Sequence, residues 1–161
     1  MIKVMKRVFY FLSAMLFVIS CTNNAANNQT TEATETPVQA EVPETPYDAS
    51  VGTGKYTEEN FSVEPTVNTA MANKGNTIYS AKCQSCHKTS NERLVGPGFK
   101  GVTERRTPVW IMNFLTNTDE MIDVDPAMQD ELEICMVRMP DQALSEEEAH
   151  AMVEFFRNND K

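Results

Sequence analysis

The stretch Cys83-Gln84-Ser85-Cys86-His87 constrains this chain more than any other, because residue identity and spacing there specify a covalent chemistry. Two thiols separated by two residues and followed at once by histidine form the pattern of c-type haem attachment. The thiols add to the two vinyl groups of one porphyrin, and the adjacent imidazole ligates the iron. Other uses of Cys-x-x-Cys stand beside this one. Half of a zinc site needs a second ligand pair, and none follows; a thioredoxin-like dithiol needs a strand-helix-strand setting, and none surrounds it. Haem attachment of this kind requires export from the cytoplasm, so the N-terminus becomes the first check.

Lys3, Lys6 and Arg7 precede an apolar run from Val8 to Ile19 that ends at Ser20-Cys21. Charged start, short apolar centre and cleavage region make residues 1–20 a signal peptide, and the run is too short to span a bilayer comfortably. Val18-Ile19-Ser20-Cys21 also resembles the lipobox of bacterial lipoproteins, which implies a lipid on Cys21 and Cys21 as the mature N-terminus. The expected location is therefore the periplasmic side of a bacterial membrane, held there by a lipid anchor.

Residues 21–72 are rich in Thr, Asn, Glu, Ala and Pro, with Pro37, Pro43, Pro46 and Pro65 distributed along them. Such a composition buries too little surface to offset the entropy of ordering, so the expectation is a lipidated, disordered linker. About fifty flexible residues have an r.m.s. reach of roughly 40 Å. Tyr47, Tyr56 and Phe61 are the only aromatics in it, and single aromatics in a polar stretch are weak docking signals. The linker is also strongly acidic, and the whole chain carries a formal charge of −9. Nucleic acid is an unsuitable partner for such a molecule, whereas a basic face on another protein is attracted to it.

Residues 73–161 carry the helical patterning. Gly75, Ile78-Tyr79 and Lys82-Cys83 recur at three and four, predicting a first helix from Asn73 to Cys86. Glycine within that helix costs about 1 kcal/mol against alanine, which a close approach by another helix explains; the alternative is that Gly75 merely sits in a frayed first turn. Gly75-x-x-x-Tyr79 with Cys83-x-x-Cys86-His87 resembles the opening helix of class I cytochromes c, and Val95-Gly96-Pro97-Gly98-Phe99-Lys100-Gly101 is similar to that family's proximal loop. The resemblance implies an all-α, cytochrome c-like helical fold around one covalently bound haem c, preceded by the disordered tether. It also implies that the Pro97 carbonyl accepts the Nδ1 proton of His87, and that the last helix crosses the first at Gly75 through Phe155 and Phe156. Read without the family, Gly-Pro-Gly is only a turn.

Thr107-Pro108 and Asp125-Pro126 are helix starts, and Ser145 with Glu148 forms a capping box for the last helix. After Asp125-Pro126, Leu132, Cys135, Met136 and Met139 fall at i, i+3, i+4 and i+7, and Pro140 ends that helix or the turn after it. Trp110, Ile111, Phe114 and Leu115 share one face. Trp110, whose indole N–H seeks a partner when buried, and the neighbouring Arg105 and Arg106 are candidates for contacts with the haem propionates.

For the second axial position, Met139-Pro140 resembles the family's distal ligand motif, which makes Met139 the expected partner of His87 on the iron. Met136 is the next candidate. His150 sits a quarter-turn off the inner face of its helix and reads as solvated. Cys135 has no partner once the other cysteines are used, and reads as a small buried hydrophobe.

A His/Met haem has no open iron position, so the resemblance implies an electron carrier and not an enzyme. The expected partners are exported respiratory redox proteins docking at the haem edge, with the chain itself a monomer. Arg93 to Arg157 also resembles small cytochromes that accompany nitrous oxide reductase, which makes that system a candidate partner. Two rival functions remain: a haem-based ligand sensor or peroxidase-like enzyme, and a fixed electron-transfer subunit of a larger oxidoreductase.

Overall fold

The computed structural model describes residues 46–161. Residues 1–20, expected to be a signal peptide, and Cys21, the expected lipidation site, lie outside the described residues. Six α-helices and no strand occur among the described residues: α1 (Thr69–Ile78), α2 (Val102–Arg105), α3 (Pro108–Thr116), α4 (Thr118–Val124), α5 (Pro126–Cys135) and α6 (Glu146–Asp160). None is long and apolar enough to cross a membrane.

Four of the six helices, α1, α3, α5 and α6, begin where the sequence supplies a side-chain cap. The Asn68 side chain accepts from the Met71 N–H, Thr107 from Trp110, and Asp125 from both Ala127 and Met128, with Pro108 and Pro126 at the first position of α3 and α5. The Ser145/Glu148 capping box forms in full, Ser145 N–H donating to Glu148 at 2.9 Å and Glu148 N–H to Ser145 Oγ at 3.3 Å. α1 starts four residues earlier than its periodicity indicates. Its C-terminal end widens into a π-helical turn over Tyr79–Cys83, in which Gln84 N–H reaches back to Tyr79 O at 3.0 Å. Single π turns of this kind are frequent at functional sites, and this one leads directly into Cys83.

The centre of the fold is the crossing of α1 and α6. At Gly75 the helices come so close that a Cβ would lie 2.2 Å from the Ala151 carbonyl oxygen and 2.6 Å from Phe155 Cβ. One turn on, Tyr79 and Phe155 stack with centroids 5.2 Å apart, and Phe156 meets Phe99 edge-on at 4.7 Å. The inner face of α6, with Ala149, Met152, Val153 and Phe156, continues this core toward Ile111, Met112 and Leu115 of α3. The C-terminal end of α6 secures α2: Asp160 accepts from Gly101 N at 2.6 Å and from Thr103 N at 2.8 Å.

The linker expectation needs correction for residues 46–72. They do not trail from the domain but fold onto it, and α1 already begins at Thr69. Asn113 of α3, wholly buried, accepts from Tyr56 N and donates to Val51 O and Tyr56 O, each at 2.9 Å. Glu154 of α6, 2 % exposed, accepts from Asn68 N at 2.8 Å and Arg157 at 2.6 Å, while Arg157 also donates to Glu64 O. Tyr56 and Val67 are buried, and Phe61 packs edge-on to His150 at 5.1 Å. Composition failed here because the segment is held by a few aromatics and by side chains of other helices gripping its backbone. Neither leaves an apolar period.

Candidate functional site

The π turn after α1, the loop that follows it, α2 to α6 and the loop between α5 and α6 line a cavity of about 630 Å³. Its wall is largely apolar, with Ile111, Phe114, Leu115, Ile122, Leu132, Met152 and Phe156 contributing side chains. Three groups with ligand chemistry arrive from the N-terminal side: Cys83, Cys86 and His87. A fourth, the Met139 thioether, comes from the loop between α5 and α6.

Cys83 is buried at the end of the π turn, and burial pushes its thiol above the ordinary value. The chain then turns tightly, Cys86 and His87 N–H groups bonding Cys83 O at 3.0 and 2.9 Å. His87 is fixed from three directions. Its Nδ1 lies 2.8 Å from Pro97 O. A carbonyl can only accept, so Nδ1 carries the proton and Nε2 keeps a free lone pair. Phe99 stacks on the ring at 4.6 Å with the planes 13° apart, and Tyr79 Oη donates to the His87 carbonyl at 2.9 Å. Gly96 lies under the ring, where a Cβ would fall 2.2 Å from Cε1. Burial holds the imidazole below its ordinary pKa, while the Pro97 hydrogen bond acts in the opposite direction. A neutral imidazole locked in one tautomer by a carbonyl is the form a metal requires.

Two thiols, an oriented neutral imidazole and a soft thioether around an apolar cavity fit a haem and its covalent attachment. The model of the cytochrome c family matches residues 72–160. The chain belongs to the cytochrome c family. Haem c, covalently bound, is the cofactor, and haem-based electron transfer is the family's general activity. Among solved structures, a cytochrome c from Rhodothermus marinus is 35% identical with a TM-score of 0.61, the match covering 69% of this chain and 91% of that one. An engineered Rhodothermus marinus cytochrome c matches at 34% identity and TM-score 0.61, covering 69% and 92%. A further engineered form, bound to a carbene intermediate, matches at 33% and 0.58, with the same coverage. No curated protein matches the chain.

The remaining candidate residues of this cytochrome divide by position. Met139 is half-buried and lines the cavity; Met136 is 86 % exposed, does not line it, and caps α5 in a left-handed conformation with φ 55°. α5 thus stops at Cys135, and the apparent continuation of its period to Met139 is interrupted. Arg105 and Arg106 both line the cavity, Arg105 donating to Lys100 O at 2.9 Å. Trp110 also lines it, but its indole N–H is already taken by Asp125 Oδ2 at 2.8 Å, which removes it as a propionate donor. The sequence contains the signal for this pair, an N-capping aspartate with a free second oxygen, yet the fifteen-residue separation hides it.

Cys135 is not the buried hydrophobe its lack of a partner suggested. It is half-exposed on the cavity wall, its Sγ 2.9 Å from an Arg93 Nη and 3.8 Å from Glu131. Arg93 also bonds both Glu131 oxygens, at 3.1 and 2.8 Å, and so ties the loop after His87 to α5. His150 is half-buried against Phe61 and not solvated, because residues 46–68 cover that face of α6; it does not line the cavity.

Proposed function

We propose that this protein is a membrane-tethered, single-haem c-type cytochrome that carries one electron at a time between exported respiratory redox partners. Cys83 and Cys86 would hold the haem through thioethers, and His87 and Met139 would ligate its iron. Cys21 carries the lipid, and the domain works on the periplasmic side. The observation that carries the reading is the convergence of Cys83, Cys86, a Pro97-oriented His87 and Met139 on one apolar cavity. When bound there, haem supplies the one-electron couple. The chain supplies burial, orientation and ligands, and methionine as an axial ligand raises the potential.

Arg105 and Arg106 are placed to meet propionates, since both line the cavity and carry permanent charge. Because residues 46–72 are held on the domain, roughly half of the linker is unavailable as tether, and the domain works nearer the membrane than fifty free residues allow. The acidic surface suits partners with basic faces, and a nitrous oxide reductase system is one candidate.

The test is spectroscopic. The membrane-bound holoprotein should show one haem per chain, a reduced-minus-oxidised c-type spectrum and a far-red iron–sulfur band that disappears in Met139→Ala. A band that survives Met139→Ala removes the axial assignment, and a mature N-terminus other than a lipidated Cys21 removes the tether. A second reading, a haem that accepts an exogenous ligand, draws on the engineered relative that holds a carbene intermediate. Rapid stoichiometric binding of carbon monoxide to the reduced wild-type protein favours that reading over a closed His/Met carrier.

A further inference from the structure

Asp125 is 1 % exposed and sits directly behind the cavity wall. Its Oδ1 accepts from the N–H groups of Ala127, at 2.8 Å, and Met128, at 3.1 Å, while its Oδ2 accepts from Trp110 Nε1 at 2.8 Å and from the Tyr47 hydroxyl. Arg106 approaches Oδ1 to 3.8 Å and lies over the Trp110 ring, its guanidinium carbon 4.2 Å from the centroid. Arg106, Trp110, Ala127 and Met128 all line the cavity. One buried carboxylate therefore touches four wall residues, and its remaining partner, Tyr47, belongs to the segment that precedes α1.

A helix cap alone needs only one of these oxygens. The second oxygen instead gathers an indole and a phenol, which fixes the orientation of the wall on which Arg106 rests. A buried charge close to a redox centre acts through a low effective dielectric, so its presence and its partners change the energy of the oxidised and reduced forms unequally.

We propose that Asp125 is a positioning residue for the redox site: it holds Trp110 and Arg106 in the cavity wall, and Tyr47 links the N-terminal segment to that arrangement. The proposal rests on the cytochrome reading above. The Asp125 charge favours the oxidised centre, and each hydrogen bond donated to it weakens that preference. Opposite signs follow for two substitutions. Asp125→Asn keeps a good capping residue but removes the charge and leaves Arg106 unopposed, so the potential rises. Tyr47→Phe removes one donor, leaves the charge less compensated, and lowers the potential.

The experiment is a redox titration of the full-length holoprotein as wild type, Y47F, D125N and the double variant. The one tryptophan of the chain gives a single indole N–H signal in the NMR spectrum of the reduced protein, which reports the Asp125 bond independently of the potential. The expected result is a fall for Y47F, a rise for D125N, a displaced indole signal in D125N, and no further effect of Y47F once Asp125 is Asn. General loosening of the fold moves both variants the same way, so equal signs overturn the proposal, as does a Y47F shift that persists at full size in the D125N background. An indole signal unmoved in D125N also overturns it. If the wild type attaches no haem, the cytochrome reading falls together with this one; an attached haem whose potential ignores Asp125 refutes only the positioning role.

Discussion

Replacing Gly75 by alanine sets two effects of known sign against each other. Glycine in a helix interior costs about 1 kcal/mol relative to alanine, so the substitution gains that amount from the chain's local preference. The added methyl, however, falls 2.2 Å from the Ala151 carbonyl oxygen and 2.8 Å from the carbonyl carbon, with Phe155 Cβ at 2.6 Å. Two of those atoms are backbone atoms of α6, which no rotamer change can move aside, so relief comes from separating the helices by about 1 Å. Overpacking in a well-fitted core costs about 1–3 kcal/mol, and separation here also loosens the Tyr79–Phe155 stack one turn away. The cost outweighs the gain, and Gly75→Ala should destabilise the holoprotein by about 1–2 kcal/mol. Asn76→Ala, one position on and exposed, should instead gain a few tenths of a kcal/mol from propensity alone. Denaturant unfolding followed by far-UV circular dichroism measures both. A Gly75→Ala protein as stable as wild type, or more so, would falsify the claim that close helix approach is what requires glycine here.

Asn113→Ala leaves Val51 O, Tyr56 N and Tyr56 O without their partner, so it should cost about 2–3 kcal/mol and speed proteolysis within residues 46–68 before the helices are cut. Haem attachment should survive in Cys135→Ser, because that thiol is engaged by Arg93, and should fail to give two thioethers in Cys83→Ser; mass spectrometry of the haem peptide distinguishes them. Burial pushes the Asp125 carboxyl up, but the Tyr47 and Trp110 hydrogen bonds and the Arg106 charge together hold it below the ordinary carboxylate value. A depressed folded-state pKa contributes stability above the unfolded value, about 3.9, that is lost as pH falls through the folded one. The stability difference between wild type and Asp125→Asn should therefore be constant near neutrality and shrink in acid. Tyr47 is pushed the other way, to about 12, by burial and by its bond to Asp125. Its contribution is complete below pH ~10 and disappears as pH rises through about 12, so Tyr47→Phe should remove part of the alkaline destabilisation seen by denaturant titration.

The parts of the fold legible in the sequence are those in which one residue type at one spacing has few physical uses. The capping signals at Thr107, Asp125 and Ser145 and the glycine at position 75 each imply a geometry, and each occurs at the implied place; Cys83, Cys86 and His87 line one cavity. The Pro97 carbonyl is at hydrogen-bond distance from His87, a contact that the Gly-Pro-Gly turn by itself does not specify and the family resemblance does. Periodicity was a poorer guide. The recurrence of Leu132, Cys135, Met136 and Met139 continues α5 to Met139, whereas a left-handed Met136 ends the helix at Cys135, so the pattern does not separate the exposed Met136 from the cavity-lining Met139 three residues later.

What could not be read is the attachment of residues 46–68, and the reason lies in how that attachment is made. Asn113 and Glu154 are polar residues on helices whose other inner positions are apolar, so a hydrophobic pattern treats them as exceptions. Both instead satisfy backbone groups of the segment: Asn113 closes three hydrogen bonds on it, and Glu154 accepts from Asn68 N while orienting Arg157 toward Glu64 O. A buried polar side chain is costly unless its partners are present, so each of these two residues required the segment to be there. A linker is better judged by asking which buried polar groups of the neighbouring domain lack partners without it than by its own composition. Applied to Trp110 and Asp125, the same question connects Tyr47 at the start of the described chain to the wall of the haem cavity.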